Sequence, residues 1–525
     1  MRGSAGGLRF RCPRRARSRR CRGGARARPR RGIAVSGTTI ALSLISHTNA
    51  GKTTLARTLL GRDIGEVRDV PHVTVESTPH PLQDTPEGDA LVLWDTPGFG
   101  NSARLARRLA QQGNPIGWFL SQAWDRFRDQ AFYLSQMAVR NVRDGADIVL
   151  YLVNASEAPA DAGYVASELD VLAWIDRPTF VLLNQTGQPR PRAEEEGEES
   201  RWRDALGPRP FIRGVLTLDA FARCWVQESV LLRALAPALP ATKREGYSRL
   251  VVAWQARRSA QFDEAMAALA APIARSACDR VVLETAGFKE KAREFARSLV
   301  AGPKDDEDAR AAARVLAGRL DAGVRESTVR LIAIHDLEGR AADEVRDRLA
   351  DHVRTDSPMH EGKAALMGGV VSGAMTGLAA DLAAGGLSLG AGTLIGAIAG
   401  ALGGAGIARG YNVLRGRTGS AIRWDTELLD GLVAAALLRY LAVAHFGRGR
   451  GEWKEGEYPP FWRDVVQRQV DAHRKSLSAI WVRRENEGEG AAIEAELRAI
   501  LADSARGVLE ALYPGALGGP RTGDG

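Results

Sequence analysis

Residues 46–54 read Ser46-His47-Thr48-Asn49-Ala50-Gly51-Lys52-Thr53-Thr54, and further on the chain reads Asp95-Thr96-Pro97-Gly98. The first stretch has the form GxxxxGK[ST] of a phosphate-binding loop, with Ser46 in place of the first glycine. It follows an apolar run, Ile40-Ala-Leu-Ser-Leu-Ile45, that reads as a buried strand. It precedes Thr54-Leu-Ala-Arg-Thr-Leu-Leu60, which reads as a helix. That strand–loop–helix context is what the motif requires. Backbone N–H groups of the loop and of the helix N-terminus then face nucleotide phosphates. Lys52 is expected to reach the β- and γ-phosphates, and Thr53 to ligate Mg²⁺. A second apolar strand, Ala90-Leu-Val-Leu-Trp94, runs directly into Asp95-Thr-Pro-Gly98.

Outward from this motif, strand-like runs alternate with helix-like runs from about residue 37 to 240. The strand candidates are 38–45, 90–95, 147–154, 179–184 and 213–218. Such alternation argues for a mostly parallel sheet with helices on both faces. The stretch 100–145 is rich in aromatics (Trp118, Phe119, Trp124, Phe127, Phe132, Tyr133) and is expected to pack as an additional helix; a partner surface is the alternative. The acidic run Glu194–Ser200 reads as a solvated loop or a helix start. Residues 241–360 and 425–513 are charged, Ala-rich and helical in period, as over 261–275 and 288–300.

With 525 residues the chain is too long for one ordinary domain. Its formal charge of +9 is misleading. Residues 1–31 contain 13 Arg and no acid, so the remainder carries −4. This tail has almost no apolar content and is expected to be disordered. It lacks the apolar core of a secretory signal. Binding to nucleic acid or anionic lipid, an organelle transit peptide, and sequence upstream of the true start are all open readings, the last the plainest. Cys12 and Cys21 lie in the tail, and Cys224 and Cys278 stand apart. No CxxC pair occurs, so neither a zinc site nor a disulfide framework is indicated, and a reducing cytoplasm fits.

Residues 364–380 contain no charge, Asp381 follows, and 382–408 again contain none. Glycine recurs every fourth residue at 369, 373 and 377, and at 392, 396, 400 and 404. On a helix this spacing puts the glycines on one face, so that two helices approach closely. An exposed soluble helix would not accept so much glycine, at ~1 kcal/mol each against alanine. The second run is long enough to cross a bilayer, while the first, at ~1.5 Å per residue, falls short of a ~30 Å core. Lys363 precedes the pair and Arg409, Arg415 and Arg417 follow it. These flanks suit a hairpin that enters from the cytoplasm and returns there. A glycine-packed hairpin buried in a soluble domain is the competing reading.

The order of motifs resembles the translation-factor-related GTPases, the Era- and TrmE-like group in particular. Asn49-Ala50-Gly51-Lys52-Thr53, Asp95-Thr96-Pro97-Gly98 and Asn184-Gln185-Thr186-Gly187 carry the resemblance, which covers roughly residues 37–240. The whole arrangement looks like a poorly characterised bacterial GTPase family with a helical C-terminal domain of unknown function. The resemblance implies an α/β P-loop GTPase domain, and the helical period and glycine spacing add a largely α-helical region with a glycine-zipper hairpin. The segments are then an Arg-rich tail at 1–36, the GTPase domain at 37–240, a helical domain at 241–360, the apolar hairpin at 361–411 and a C-terminal helical region at 412–525.

By the same resemblance GTP and GDP are held by Ser46, Asn49, Ala50, Gly51, Lys52, Thr53, Thr54, Gly98, Asn184 and Gln185. Mg²⁺ is held by Thr53, Asp95 and the switch threonine, for which Thr74 is the choice and Thr78 the competitor. Lys52, Asn49 and Thr74 are the candidate catalytic residues. Three departures stand out. Phe99 occupies the position where Ras-like proteins have a water-orienting glutamine, and a phenyl ring cannot orient water. Some Era-like members use the loop asparagine to help hold K⁺, and Asn49 matches it. Gly187 stands where a guanine-reading aspartate is usual, which removes a charge-assisted pair; Asp219 is a candidate partial substitute. Ser46 replaces glycine, and serine is tolerated if its φ is negative.

The expected function is Mg²⁺-dependent GTP hydrolysis with slow intrinsic turnover, used as a regulatory switch. Residues 364–408 suggest membrane association at the inner face. A ribosome-associated assembly GTPase and a weakly binding scaffold are the alternatives. A charge of −4 outside the tail and the lack of a recognisable RNA-binding module weigh against nucleic acid.

Overall fold

The computed structural model describes residues 37–47, 50–61, 78–96, 98–99, 102–110, 129–186, 190–218, 224–283, 305–337, 411–416, 419–445, 461–486 and 488–517. All of them belong to one of the two units into which the chain divides, Gly37–Gly525. In its N-terminal half the elements are β1 (Thr39–Ser46), α1 (Lys52–Leu60), β2 (Thr78–Asp84), β3 (Ala90–Asp95), α2 (Ser102–Ala110) and α3 (Gln130–Gly145). Then come β4 (Ile148–Asn154), α4 (Val165–Ile175), β5 (Thr179–Asn184), α5 (Arg192–Leu206), β6 (Ile212–Thr217) and α6 (Trp225–Leu235).

The six strands order as β2-β3-β1-β4-β5-β6. β1 pairs in parallel with both β3 and β4, and β4–β5 and β5–β6 are parallel too. Only β2 runs antiparallel within this sheet. Successive side chains point to opposite faces. Thus Ile40, Leu42, Leu44, Ile148, Leu150, Leu152, Phe180 and Leu182 fill one core with Leu55, Ala56 and Leu59 of α1. Ile45, Val149, Tyr151, Val153, Val181 and Leu183 fill the other, with Leu105, Val139, Leu172 and Trp202. Burial on both faces is why the strands read as unbroken apolar runs.

β2 did not register as a strand in the sequence. Pro79 and Pro81 interrupt it, and proline is tolerated in strands only at an edge. The acidic run forms the first half of α5, where Glu198 and Glu199 are buried. Glu199 Oε1 accepts a 3.0 Å bond from the Thr217 N–H at the end of β6, so this segment is not a solvated loop. Phe132 packs into the second core, as an added helix requires. Trp118, Phe119, Trp124 and Phe127, the 288–300 stretch and the 364–408 glycine runs lie outside the described residues.

The C-terminal half continues with α7 (Ala241–Cys278), β7 (Val281–Leu283), α8 (Asp305–Ile334), β8 (Tyr411–Gly416), β9 (Gly419–Trp424), α9 (Thr426–Ala444), α10 (Phe461–Ala472), α11 (Arg474–Arg483) and α12 (Gly490–Leu512). It is largely helical, with a small antiparallel sheet β7-β9-β8 that helical periodicity alone did not signal. Its core gathers Leu269, Leu316, Trp424, Tyr440, Trp462, Trp481 and Val508. Among the described residues no helix is long and apolar enough to cross a membrane.

The two halves share α7, a helix of 38 residues. Tyr247, Leu250 and Trp254 on its first turns pack on the sheet beside α1, whereas Phe262, Met266, Leu269 and Ile273 enter the helical core. The N-terminal part is clamped to the strand starts. Lys243 Nζ donates to Asp147 at 2.7 and 2.8 Å and to the Thr39 carbonyl at 2.9 Å. Arg249 donates to both oxygens of Asp89, at 2.7 and 3.0 Å, and Asp89 also accepts from the Thr38 N–H at 2.8 Å. The Arg249 bond holds the Asp89 carboxyl well below the usual carboxylate range, against its burial. Gly246 sits where any Cβ would come within 2.5 Å of Thr38.

Candidate functional site

In a doubly wound sheet, ligands bind outside the carboxyl ends of the strands, where the strand order reverses. Here the reversal falls between β1's neighbours, β3 and β4. The register that sets Leu44 beside Asp95 and Asn154 beside Asn184 brings the C-terminal ends of β1, β3, β4 and β5 to one crevice.

The loop between β1 and α1 enters the helix through Gly51, at φ 84° and ψ 20°, a left-handed conformation that favours glycine. Space forbids a side chain as well, because a Cβ would lie 2.5 Å from Asn184 Nδ2. That amide donates to the Ala50 carbonyl at 2.8 Å, so the end of β5 braces the loop. Gln185, the next residue, also has positive φ, at 60°, and its amide reaches over Gly51. Ser46 closes β1 and is not among the described non-glycine residues with positive φ, which removes the objection to serine there.

Lys52 and Thr53 begin α1 and converge on one carboxylate. Lys52 Nζ donates to Asp95 Oδ1 at 2.6 Å, and the Thr53 hydroxyl donates to Asp95 Oδ2 at 2.8 Å. Lys52 and Asp95 are both buried, as is Thr54. A hydroxyl and a carboxylate side by side are hard oxygen donors of the kind Mg²⁺ takes, so this pair fits the cation the motif implies.

After β3 the chain is tied to the loop by backbone. The Phe99 N–H donates to the Ser46 carbonyl at 3.0 Å, and His47 and Phe99 form a parallel bridge. The Thr96 hydroxyl donates to the Leu44 carbonyl. Gly98 is half-buried between these anchors. Phe99 is 2% exposed and belongs to the core with Ile45 and Leu105. It is a packing residue, in keeping with the expectation that it does not orient water.

Ser46, Ala50, Gly51, Lys52, Thr53, Asp95, Asn184 and Gln185 therefore lie together at the ends of β1, β3 and β5, with Thr54 next in α1 and Gly98 just before Phe99. Asn49, Thr74, Gly187 and Asp219 lie outside the described residues. A cavity of ≈ 270 Å³ lies elsewhere, at the far end of α1, lined by Leu60, Gly61, Arg257 and His335 among others.

One cluster escaped sequence reasoning. His47 Nδ1 donates to Glu168 Oε1 at 2.8 Å, the Tyr151 hydroxyl donates to Glu168 Oε2 at 2.6 Å, and the His47 ring stacks on Tyr164 with centroids 4.3 Å apart. These residues come from the loop just after β1, from β4, from α4 and from the turn before it. No local pattern announces the contact; a carboxylate inside the apolar face of Val165–Ile175 was the only hint.

Residues 42–185 match the family described as 50S ribosome-binding GTPase. Residues 208–498 match the family described as a domain of unknown function, DUF3482. No curated protein matches the chain. Among solved structures, it is similar to a variant of Era from Aquifex aeolicus bound to GDP and aluminium fluoride, at 15% identity over 39% of this chain and 57% of that one, with a TM-score of 0.28. It is also similar to Era in complex with MgGDPNP and a segment of 16S ribosomal RNA, at 14% identity over 39% and 58% of the two chains, with a TM-score of 0.29. The FeoB G-domain from Methanococcus jannaschii matches at 16% identity over 35% and 86%, with a TM-score of 0.19. The chain spans a little over half the length of the Era structures it matches. The DUF3482 match covers more than half of the 525 residues: the chain belongs to this family, and it carries a P-loop GTPase domain ahead of that region.

Proposed function

We propose that this member of the DUF3482 family is a nucleotide-operated switch that binds GTP and GDP at residues 46–54 and hydrolyses GTP slowly. The observation that carries the reading is the convergence of Lys52 and Thr53 on Asp95. A lysine and a hydroxyl–carboxylate pair beside the loop that Asn184 braces support a phosphate site with Mg²⁺. In that reading Lys52 neutralises charge on the β- and γ-phosphates, Thr53 and Asp95 hold Mg²⁺, Gly98 follows the γ-phosphate, and Thr74 closes the switch. Asn49 supports a K⁺ ion that stabilises the developing charge. Slow turnover follows from the burial of Phe99, which leaves water to be oriented by something other than that side chain.

α7 gives the switch a mechanical route, since one helix packs both beside α1 and in the helical core. The uncharged, glycine-spaced runs in 364–408 favour an effector region that associates with a membrane from its cytoplasmic side. Separating cells into membrane, ribosome and soluble pools, followed by carbonate extraction of the membranes, tests this. The proposal expects the protein in the membrane pool after extraction. Recovery on 50S subunits favours a second reading, suggested by the description of the family matched at 42–185. Recovery wholly in the soluble pool overturns the membrane reading and leaves a buried hairpin.

A further inference from the structure

We propose that Glu168 is a positioning residue for phosphate binding: from the buried face of α4 it grips His47, the second residue of the phosphate loop, and so sets the shape of the loop. The inference rests on the nucleotide-binding reading above. Glu168 is 0% exposed, in a setting where a carboxylate is costly unless its oxygens are satisfied. Each oxygen has one donor, His47 Nδ1 at 2.8 Å and the Tyr151 hydroxyl at 2.6 Å. With Glu168 ionised its oxygens can only accept, so Nδ1 is the protonated nitrogen facing it. Stacking on Tyr164 fixes the plane of the imidazole.

What His47 holds in turn gives the grip its consequence. Its carbonyl accepts from the Ser46 hydroxyl at 2.8 Å and from the Ala50 N–H at 3.4 Å, closing the start of the loop onto itself. Its backbone bridges Phe99, so the segment leaving Asp95 is attached at the same point. Moving the imidazole therefore moves the loop entry and the post-β3 segment together. A packing residue could fill the same space, but it would not titrate.

The groups facing His47 are Glu168 on α4, Tyr164 ahead of α4 and Glu157 in the turn after β4, while Tyr151 on β4 faces Glu168. The hydrogen bond from Glu168 raises the His47 pKa above its ordinary value; partial burial opposes this, and the charges of Glu168 and Glu157 add to it. Burial pushes the Glu168 carboxyl up as well, against its donors His47 and Tyr151. Burial raises both phenols, Tyr164 to about 12, so they stay neutral. With both shifts upward the folded pair keeps its proton to higher pH than the separate groups would. The charge-assisted grip needs His47 protonated and Glu168 ionised, so it is lost as pH falls through the raised Glu168 value. It weakens as pH rises through the raised His47 value.

The test uses the full chain and a fluorescent GDP analogue with Mg²⁺, titrated from about pH 5.5 to about pH 8.5. His47 is followed in parallel by NMR of labelled imidazoles and assigned by the signal lost in His47→Gln. The parent is expected to lose affinity in a step above ~6.5, and His47→Gln to abolish the step. Glu168→Gln should bind about five- to tenfold more weakly at neutral pH, with the step and the His47 signal both moved down. Tyr151→Phe, which keeps the ring in the core, should show a smaller loss in the same direction and decides the matter if Glu168→Gln does not fold. Parent-like affinity and pH profile in Glu168→Gln, with the His47 signal displaced, overturn the inference alone. A parent that binds no nucleotide overturns it together with the function it rests on.

Discussion

Replacing Gly51 with alanine separates two costs that the structure superimposes at one atom. The first is conformational. A φ of 84° costs an L-residue ~1–2 kcal/mol. The second is steric, because the new Cβ would lie 2.5 Å from Asn184 Nδ2, which must swing away and surrender its 2.8 Å bond to the Ala50 carbonyl. A neutral hydrogen bond contributes ~0.5–1.5 kcal/mol net, so Gly51→Ala should cost ~1.5–3.5 kcal/mol in the parent. In an Asn184→Ala background the clash is gone and only the backbone term of ~1–2 kcal/mol remains. The double-mutant cycle should therefore show a coupling of ~0.5–1.5 kcal/mol. Urea unfolding followed by tryptophan fluorescence measures it, provided the slopes agree across the four proteins. Equal costs in the two backgrounds would mean that Asn184 does not lie over the loop. A cost-free Gly51→Ala would refute the left-handed entry into α1.

Other perturbations probe other links. Gly246→Ala should destabilise, although alanine normally gains ~1 kcal/mol over glycine in a helix, because its Cβ would come within 2.5 Å of Thr38 and 2.8 Å of Asp89 Oδ1; a raised urea midpoint would show that α7 does not dock there. GTP hydrolysis should run faster in K⁺ than in Na⁺ at equal ionic strength, and Asn49→Ala should erase the difference; equal parent rates leave Asn49 a brace only. Discrimination of GTP from ATP should be weak and should rise by about one to two decades in Gly187→Asp, the equivalent of a charged hydrogen bond; a parent that already prefers GTP by more than about 10⁴-fold reads guanine by another residue.

What the sequence disclosed follows from the range of the interactions. The parallel strands were legible because burial on both faces leaves apolar runs such as Ile148–Val153 unbroken. The loop was legible because its motif is local. β2 was hidden by Pro79 and Pro81, and β7 by its three-residue length between helices. Asn184 was marked by resemblance as a nucleotide contact, but its bond to Ala50 joins residues 134 apart, and spacing cannot announce such a partner. The same holds for His47 and Glu168, 121 residues apart. The helix boundary near 240 is visible in composition, yet α7 obeys packing rather than composition and seats its first turns on the sheet.

If Lys52 stands at a nucleotide phosphate site, binding of fluorescent GTP and GDP analogues, with Mg²⁺, to the parent and to Lys52→Ala shows it directly. Circular dichroism accompanies it, because Lys52 is buried against Asp95 at 2.6 Å. Charged hydrogen bonds to phosphate are worth ~1.5–3 kcal/mol, so a folded Lys52→Ala should bind at least about tenfold to a hundredfold more weakly than the parent. Equal affinity in the folded variant would contradict the assignment of this crevice as the site.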